Sequence, residues 1–332
     1  VLILLHACIG YVELGVDSWT TKLMENLLPN SILILVYTSF LMFILRFFAG
    51  PIVHKINPIG LLFASSVVGC LGLFWLGTEI TSVFIIFVAA TFYSLGKAFF
   101  WPTMLGVAGE RYPQSGSVAM GALGAAGMLT VGLIAGEAIG YKQASNASAN
   151  LAEIAPETFK RYQSEEDKGY LFLPKYRPLA ANLVATANGT KPVDDSKELD
   201  LSGYYKLLSP KLDELARTDP EAFKAELVLS PEDLIKKYPA EGEQKAAQEK
   251  LQAKVAQLIP LANEDVPKVK QANNYGGRRA LTLTAFVPAI MAVGFLILMI
   301  YFKSSGGYKV LEIAEDGSLK EAPEQDHGTA EA

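Results

Sequence analysis

The sequence predicts an all-α membrane protein with six transmembrane helices and a mainly helical soluble insertion. A helix needs about 20 mostly apolar residues to cross the hydrocarbon core of a bilayer, and six stretches of this chain meet that requirement. The charged residues lie elsewhere, since 19 of the 29 Lys and Arg and 21 of the 34 Asp and Glu fall in residues 142–275. The net charge of -5 therefore averages a lipid-facing part with a water-facing part and indicates no charged partner.

The apolar stretches predict five helices in succession and a sixth much later in the chain. The five cover residues 1–28, 31–53, 59–78, 82–109 and 117–140, and the sixth covers 278–303. Because the connections between the first five are short, consecutive helices are expected to be antiparallel neighbours. The fifth helix is rich in Gly and Ala, and its small residues Gly121, Ala125 and Gly132 recur at helical spacing. Such residues let a second helix approach closely, so the fifth helix is interpreted as a packing element.

The segment 142–277 between the fifth and sixth helices predicts a small soluble domain. A structureless loop of this length is unusual in a compact protein. The stretches DPEAFKAEL and SPEDLIKKY have helical composition, and Asp219 and Ser230 stand before Pro as N-caps. Residues 181–200 are polar and predict a loop, whereas the acidic and polar tail 304–332 predicts disorder.

The sequence lacks the patterns of a metal site, a cofactor site or an enzyme active site. Cys8 and Cys70 both lie in apolar segments, which excludes a disulfide framework and a cysteine-based metal centre. The polar segments contain no His/Glu metal spacing, nucleophile motif or Gly-rich phosphate loop. We therefore predict a protein that is not an enzyme, that binds no cofactor or metal and that has no nucleic-acid partner.

Ionisable residues within the apolar stretches are the most informative ones for function. Each costs roughly 2.5–3.5 kcal/mol at the centre of a membrane helix, so such groups usually face an interior or a water-filled cavity. Glu13 and Asp17 are four residues apart in the first helix and are expected to share one face, with Tyr11 nearby. Two carboxylates this close in a low dielectric are not easily both ionised, which predicts a site that loads and releases a proton. Alternatively, Asp17 is an ordinary solvated residue near the membrane surface. His6 is interpreted as a packing residue.

Lys97 lies in the middle of the fourth helix, too deep for its ammonium to reach the membrane surface easily. We predict a carboxylate partner for it, Glu13 in the first place and Asp17 in the second. Such a pair could serve transport chemistry or only fix the packing of two helices. Close by in the sequence, Pro102 predicts a kink, and Trp101 could line a cavity or be an ordinary core residue.

The turn after the second helix resembles a loop motif of the major facilitator superfamily. The motif reads Gly-x-Leu-x-Asp-Arg/Lys-x-Gly-Arg/Lys-Arg/Lys, and here Gly50, Ile52 and Lys55 match it. His54 stands where Asp is usual, and the closing basic pair is absent. In that family the motif recurs between the second and third helices of each six-helix half, which is its place in this chain.

The resemblance implies that these helices are the seventh to twelfth of a twelve-helix carrier. The turn at His54 and the tail 304–332 would then be cytoplasmic, and the insertion 142–277 would be extracytoplasmic. The first and fourth helices of such a half line the transport cavity, and they carry Glu13, Asp17, Lys97 and Trp101. The loop motif implies a conformational latch formed by Arg46, Gly50, His54 and Lys55. Because the chain opens on Val1 inside an apolar run, we expect it to be a fragment that lacks the amino-terminal six-helix half.

Together these features predict a secondary active transporter, a multi-pass protein of the bacterial inner membrane. It would move a small polar solute by alternating access, coupled to protons, with the lipid bilayer and the missing half as its partners. The alternative is a membrane-anchored extracytoplasmic binding or sensing protein whose working part is the domain 142–277. Charges in the middle of the membrane argue against that alternative, since an anchor has no need of them.

Overall fold

A computed structural model describes most of the chain, and it is almost wholly helical. The described residues are 1–24, 30–48, 57–180, 183–184, 191–193, 198–200, 209–226, 233–234, 237–238, 257–258, 261–316 and 318–322. They divide into two compact units. The first unit comprises Val1–Lys142 and Gly277–Ala332, and the second comprises Gln143–Gly276.

The described helices number nine when short breaks within one helix are ignored. In chain order they are α1 (Leu2–Met24), α2 (Ile32–Phe47), α3 (Pro58–Leu76), α4 (Val83–Arg111), α5 (Pro113–Ile154), α6 (Pro156–Tyr162), α7 (Pro210–Thr218), α8 (Pro220–Glu226) and α9 (Ala262–Thr284, continuing as Phe286–Ser304). Five of them, namely α1, α3, α4, α5 and α9, are long and apolar enough to cross a membrane. The chain is thus mainly helical, as predicted, and its apolar helices are consistent with a multi-pass membrane protein.

The predicted second membrane helix is shorter among the described residues than the sequence indicates. α2 has 16 residues, Ile32–Phe47, and is apolar but below the length that a membrane crossing requires. The remainder of the predicted helix, from 49 to 53, lies outside the described residues. The count of six spans therefore stays a prediction.

Two of the long helices each contain a π-helical turn. α1 consists of Leu2–Gly10, the π turn Tyr11–Gly15 and Val16–Met24. α5 opens with a 3-10 turn, Pro113–Ser115, and then consists of Gly116–Thr130, the π turn Val131–Ala135 and Gly136–Ile154. The two π turns lie against each other, since a Cβ added to Gly15 would stand 2.4 Å from the Cβ of Ala135.

α4 is broken where its proline requires it. The helix runs from Val83 to Lys97, turns at Ala98 and Phe99, and continues as Phe100–Arg111. Pro102 has no N–H to bond the carbonyl of Ala98, four residues earlier, and its ring would clash with that carbonyl in a straight helix. The kink predicted from Pro102 is confirmed, one turn before the proline itself.

Glycines set the close contacts between neighbouring helices of the first unit. A Cβ on Gly72 would lie 2.2 Å from the backbone nitrogen of Tyr93, and one on Gly96 would lie 2.3 Å from Gly69. These contacts bring α3 and α4 together. A Cβ on Gly10 of α1 would lie 2.4 Å from the carbonyl oxygen of Gly127 in α5.

The prediction that α5 packs through its small residues is therefore right in kind but names the wrong residues. Gly121 and Gly132 face open space, and Ala125 is exposed. Gly127 and Ala135 make the contacts with α1 instead. A stripe of small residues indicates that close approach is possible, but the rotation of the helix decides which of them is used.

The second unit has a hydrophobic core of its own. Leu151, Tyr162, Leu212, Phe223 and Val269 belong to this core. Asp219 accepts a hydrogen bond from the Ala222 backbone N–H at 3.0 Å and caps α8, as the sequence predicts. Within 181–200, where a loop was expected, two short strands pair antiparallel: β1 (Lys191–Val193) and β2 (Glu198–Asp200). Ser230 and most of SPEDLIKKY lie outside the described residues.

Part of the tail forms a β-hairpin, where the sequence predicted disorder. β3 (Leu311–Ile313) and β4 (Leu319–Glu321) pair antiparallel, and Asp316 accepts two hydrogen bonds from Ser318 in the turn between them. The polar composition of the tail concealed this local pairing. Residues 323–332 lie outside the described part.

The hairpin is held to the end of α4 by two hydrogen bonds. The Tyr308 hydroxyl donates to Glu110 at 2.5 Å, and Arg111 donates to the Lys309 carbonyl at 2.8 Å. Burial, together with the Glu110 carboxylate, raises the pKa of Tyr308 well above its ordinary value. The hydroxyl therefore keeps its proton and remains a donor at any physiological pH.

Candidate functional site

The π turn of α1 carries Glu13 into the interior of the first unit. Gly10, just before the turn, and Gly15, its last residue, permit the close approach of α5 that covers the turn. The Glu13 carboxylate is 4% exposed, so it has almost no contact with solvent. π turns inside α-helices occur often at functional sites, because the wider turn re-aims side chains and backbone carbonyls.

Glu13 forms an ion pair with Arg46 at the end of α2. The Arg46 Nη2 atom donates to Glu13 Oε1 at 2.8 Å, and Arg46 Nε donates to the Ala98 carbonyl at 3.1 Å. That carbonyl is the one that Pro102 cannot engage. The break in α4 thus supplies an acceptor that fixes the guanidinium beside Glu13.

Arg46 was assigned to the predicted latch, and the structure places it in this charged site; the latch stays a prediction. The other latch residues, Gly50, His54 and Lys55, lie outside the described residues. The sequence contained one signal for the actual position. Arg46 is the only charged residue between 31 and 53. A cation at the end of an apolar helix needs a partner.

Asp17 and Lys97 form the second ion pair of the site. Lys97 Nζ donates to both oxygens of Asp17, at 2.5 and 2.6 Å, and the lysine side chain is 0% exposed. The ammonium also stands 4.9 Å from the ring centroid of Tyr93. Asp17 is thus a partner of a buried cation and not a solvated surface residue.

The predicted carboxylate partner of Lys97 is confirmed, but the choice of Glu13 before Asp17 is wrong. The π turn explains the difference. The wider turn shifts position 13 relative to position 17, so the two carboxylates, although still close enough to act on each other, meet different helices. Glu13 therefore meets Arg46 of α2, and Asp17 meets Lys97 of α4.

Tyr93 links α4 to the π turn from one helical turn before Lys97. Its hydroxyl donates to the Val12 carbonyl at 2.6 Å, and the side chain is fully buried. A π turn displaces carbonyls from their usual partners, and Tyr93 satisfies one of them. No role was predicted for Tyr93 from the sequence, although a Tyr four residues from a buried Lys on the same helix face is a signal for it.

One oxygen of Glu13 is left without a partner. Glu13 Oε2 is buried and has no hydrogen-bond partner among the described residues. Most buried polar atoms in proteins are hydrogen-bonded, and each exception calls for an explanation. An unbonded carboxylate oxygen in an apolar surrounding is a natural position for a proton.

Tyr11 and Trp101 lie near the ion pairs in the sequence but have other partners. The Tyr11 hydroxyl accepts a hydrogen bond from Lys142 of α5 at 3.1 Å, and Lys142 also donates to Thr284 at 3.3 Å. Trp101 packs edge-on against His6, with ring centroids 4.5 Å apart. His6 is buried, and neither of its ring nitrogens has a hydrogen-bond partner among the described residues.

Two cavities of the first unit lie away from the ion pairs. One of about 480 Å³ is lined by residues of α1, α4, α5 and α9, and Arg111 and Tyr112 are among the lining residues. The other, of about 340 Å³, lies beside Asn57, Lys303 and Tyr308. Neither is lined by Glu13, Asp17, Lys97 or Arg46. Within the described part of the chain, no group of three or more His, Cys, Asp and Glu is placed to hold a metal ion.

Comparison with protein-family models, with curated proteins and with solved structures finds no match to this chain. The resemblance to the major facilitator superfamily therefore rests on the loop motif and the order of the apolar helices, and it stays a prediction.

Proposed function

We propose that this protein is a proton-coupled secondary active transporter that moves a small polar solute across the bacterial inner membrane. Alternating access would proceed by movement of this helical unit against a second six-helix bundle that completes the transport cavity. The observation that carries the proposal is the state of Glu13. It is buried in a π turn, one of its oxygens is bonded to Arg46, and the other has no partner among the described residues.

Two properties of the ion pairs favour transport, namely the helices that they connect and the free energy that placing charges there costs. They join α1 to α2 through Glu13–Arg46 and α1 to α4 through Asp17–Lys97. Helix packing by itself does not require these charges, since small residues bring membrane helices together and a charge within a membrane helix is costly. Protonation of Glu13 weakens its bond to Arg46 and frees α1 from α2. A proton can thus change the packing of helices, as coupled transport requires.

The second candidate is a membrane-anchored binding or sensing protein. The separate core of the second unit favours it, because a unit with its own core can hold a binding site of its own. This candidate assigns no role to the buried charges of the first unit. It predicts that a ligand binds to the second unit and that no solute crosses the membrane.

Transport is tested with the full-length protein reconstituted in liposomes. A pH gradient is imposed, and uptake of a panel of labelled sugars, carboxylates, phosphates, peptides and nucleosides is measured. We expect gradient-driven uptake of one solute class, and its loss in Glu13→Gln, while exchange of labelled for unlabelled solute is partly retained. Glu312→Gln in the exposed strand β3 is the matched control and should leave uptake unchanged. Unchanged driven uptake in Glu13→Gln would remove Glu13 as the coupling site.

A further inference from the structure

Arg46 is the accessible member of the charged site. Its side chain is 39% exposed, whereas the Glu13 carboxylate bonded to it is 4% exposed. In the second pair the cation is the hidden member, since Lys97 is 0% exposed. A guanidinium is very costly to expose to hydrocarbon, so its open side is expected to face water or a polar ligand.

Arg46 also has hydrogen-bond donors to spare. A guanidinium carries five N–H groups in a planar fork. Nε donates to Ala98, and Nη2 donates to Glu13. The remaining N–H groups have no partner in the described part of the chain. A fork of this kind matches the paired oxygens of a carboxylate or a phosphate.

Protonation of Glu13 changes the charge balance at Arg46. The charged groups that act on Glu13 are Arg46, Lys97 and Asp17. Asp17 and Lys97 compensate each other, so ionised Glu13 is the counter-ion of Arg46. Of the other segments packed against the π turn, Val131–Ala135 contains no titratable side chain, and Phe286–Ser304 contains Tyr301 and Lys303 in its last four residues. Lys142 of α5 also faces the turn, where it donates to the Tyr11 hydroxyl. Tyr93 donates its hydroxyl proton to the Val12 carbonyl and not to a carboxylate. A proton on Glu13 therefore leaves Arg46 as an uncompensated cation.

We infer that the transported solute is an anion, a carboxylate or a phosphate, which binds Arg46 when Glu13 takes up a proton. This inference rests on the proposed function and names its substrate class. Proton and anion favour each other's binding, because each removes the charge that the other leaves behind. Such coupling is reciprocal, so the anion also draws the proton onto Glu13. The two cross the membrane together, as in symport.

Binding of two probe anions to the purified full-length protein tests the inference. Inorganic phosphate and succinate are titrated calorimetrically between pH 5 and 8, with glucose as the neutral probe and lysine as the cationic one. We expect one of the two anions to bind, with a Kd that falls up to tenfold for each unit decrease in pH while one proton is taken up. Glucose and lysine should not bind. Binding by phosphate or by succinate distinguishes the two anion chemistries.

Variants of the ion pair separate the role of each partner. Glu13→Gln mimics the protonated acid, so its affinity should equal that of the wild type at pH 5 and should change with pH only as the probe anion itself titrates. The double variant Glu13→Gln with Arg46→Gln removes both charges and leaves none unpaired, which avoids the folding defect expected of Arg46→Gln alone. It should bind the anion at least a hundredfold more weakly. Arg279→Gln, an exposed arginine of α9, should bind normally.

Three results would overturn the inference. These are equal anion affinity in the double variant and in Glu13→Gln, binding of neither anion, or pH-dependent binding of glucose or lysine in place of the anions. The proposed function fails in a different way. If gradient-driven uptake of a neutral solute depends on Glu13, the proposed transport function is retained and the anionic substrate class is wrong. If a pH gradient drives the uptake of no solute, the proposed transport function itself is wrong.

Discussion

Tyr93 contacts both parts of the charged site, namely the π turn that carries Glu13 and the Lys97 ammonium. Its hydroxyl bonds the backbone of the π turn at Val12, and its ring lies beneath the Lys97 ammonium. Position 93 is held in turn by Gly72, whose missing Cβ lets α3 approach the Tyr93 backbone. One side chain thus couples the conformation of α1 to the position of a buried cation on α4.

Removal of the Tyr93 hydroxyl should have a measurable but limited effect on stability. Tyr93→Phe leaves the Val12 carbonyl without its donor, while the ring under Lys97 is kept. We expect a loss of about 1 kcal/mol in the free energy of unfolding, in the range measured for hydrogen bonds between membrane helices. Unfolding in mixed detergent, followed by Trp fluorescence, measures it. Tyr301→Phe, whose side chain is 59% exposed, is the control and should be neutral. A neutral Tyr93→Phe would mean that Val12 finds another donor.

At the scale of single residues, the sequence predicted which positions carry charge but not their partners. Glu13, Asp17 and Lys97 were recognisable because ionisable groups in apolar helices are costly and rare. Arg46 was recognised as well, as a member of the predicted latch, but its pairing with Glu13 was not predicted. The ion pairs depend on the rotation of three helices, and a residue's neighbours in the sequence do not determine that rotation.

The helices that form the site depend on glycines where two backbones meet. α3 approaches α4 through Gly72 and through the contact of Gly69 with Gly96. α1 approaches α5 through Gly10 and Gly15. Contacts this close leave no room for a methyl group, so the position of Lys97 and that of the π turn both depend on them.

A methyl group at Gly72 should therefore separate α3 from α4. Its Cβ would lie 2.2 Å from the backbone of Tyr93, and backbone cannot yield as a flexible side chain can. We expect Gly72→Ala to lower the free energy of unfolding by about 2 kcal/mol or more. The control is Gly106→Ala in α4, where a Cβ has open space. It should be neutral or stabilising by up to about 1 kcal/mol, because Ala favours the helix. Equal effects of both changes would contradict the close contact.

Elements were predicted well where the signal is local and poorly where it is not. The break in α4 follows from Pro102, which acts on its own helix. The π turns have no comparable signal, because Gly10 and Gly15 are compatible with a regular helix as well. The hairpin of the tail was missed because each of its strands has only three residues.

The whole molecule consists of two compact units that are built on different principles. The first contains all three tryptophans, at positions 19, 75 and 101, and its apolar side chains also cover its outer surface. The second has a core enclosed by polar residues, with a buried ion pair in which Arg161 donates to Asp265 at 2.8 and 2.5 Å. Hydrogen bonding to Asp265 raises the pKa of Arg161 above its ordinary value.

The two units should respond separately to a mutation in one of them. Asp265 is 0% exposed, and Asp265→Ala leaves Arg161 and Thr158 without their acceptor. We expect the second unit to lose about 3–5 kcal/mol. Circular dichroism should then show an early transition that Trp fluorescence, which reports only on the first unit, does not show. Gradient-driven uptake should persist at low temperature.

The matched control for this experiment is the exposed pair of Arg177 with Asp167. Asp167→Ala should change the free energy of unfolding by less than about 1 kcal/mol, because both side chains are solvated. If Asp265→Ala shifts the fluorescence transition as much as the circular dichroism, the units unfold as one. The separation into two compact units would then have no thermodynamic counterpart.

The sequence by itself determined that this chain is helical and apolar, with a few costly charges inside its helices and a break at Pro102. These properties follow from local composition and spacing, which act within one helix at a time. Only the tertiary structure decided that Glu13 pairs with Arg46 and that Asp17 pairs with Lys97. Partner choice depends on how each helix is rotated. Here a π turn and a few glycine contacts set that rotation, and their effect appears only when the helices pack together.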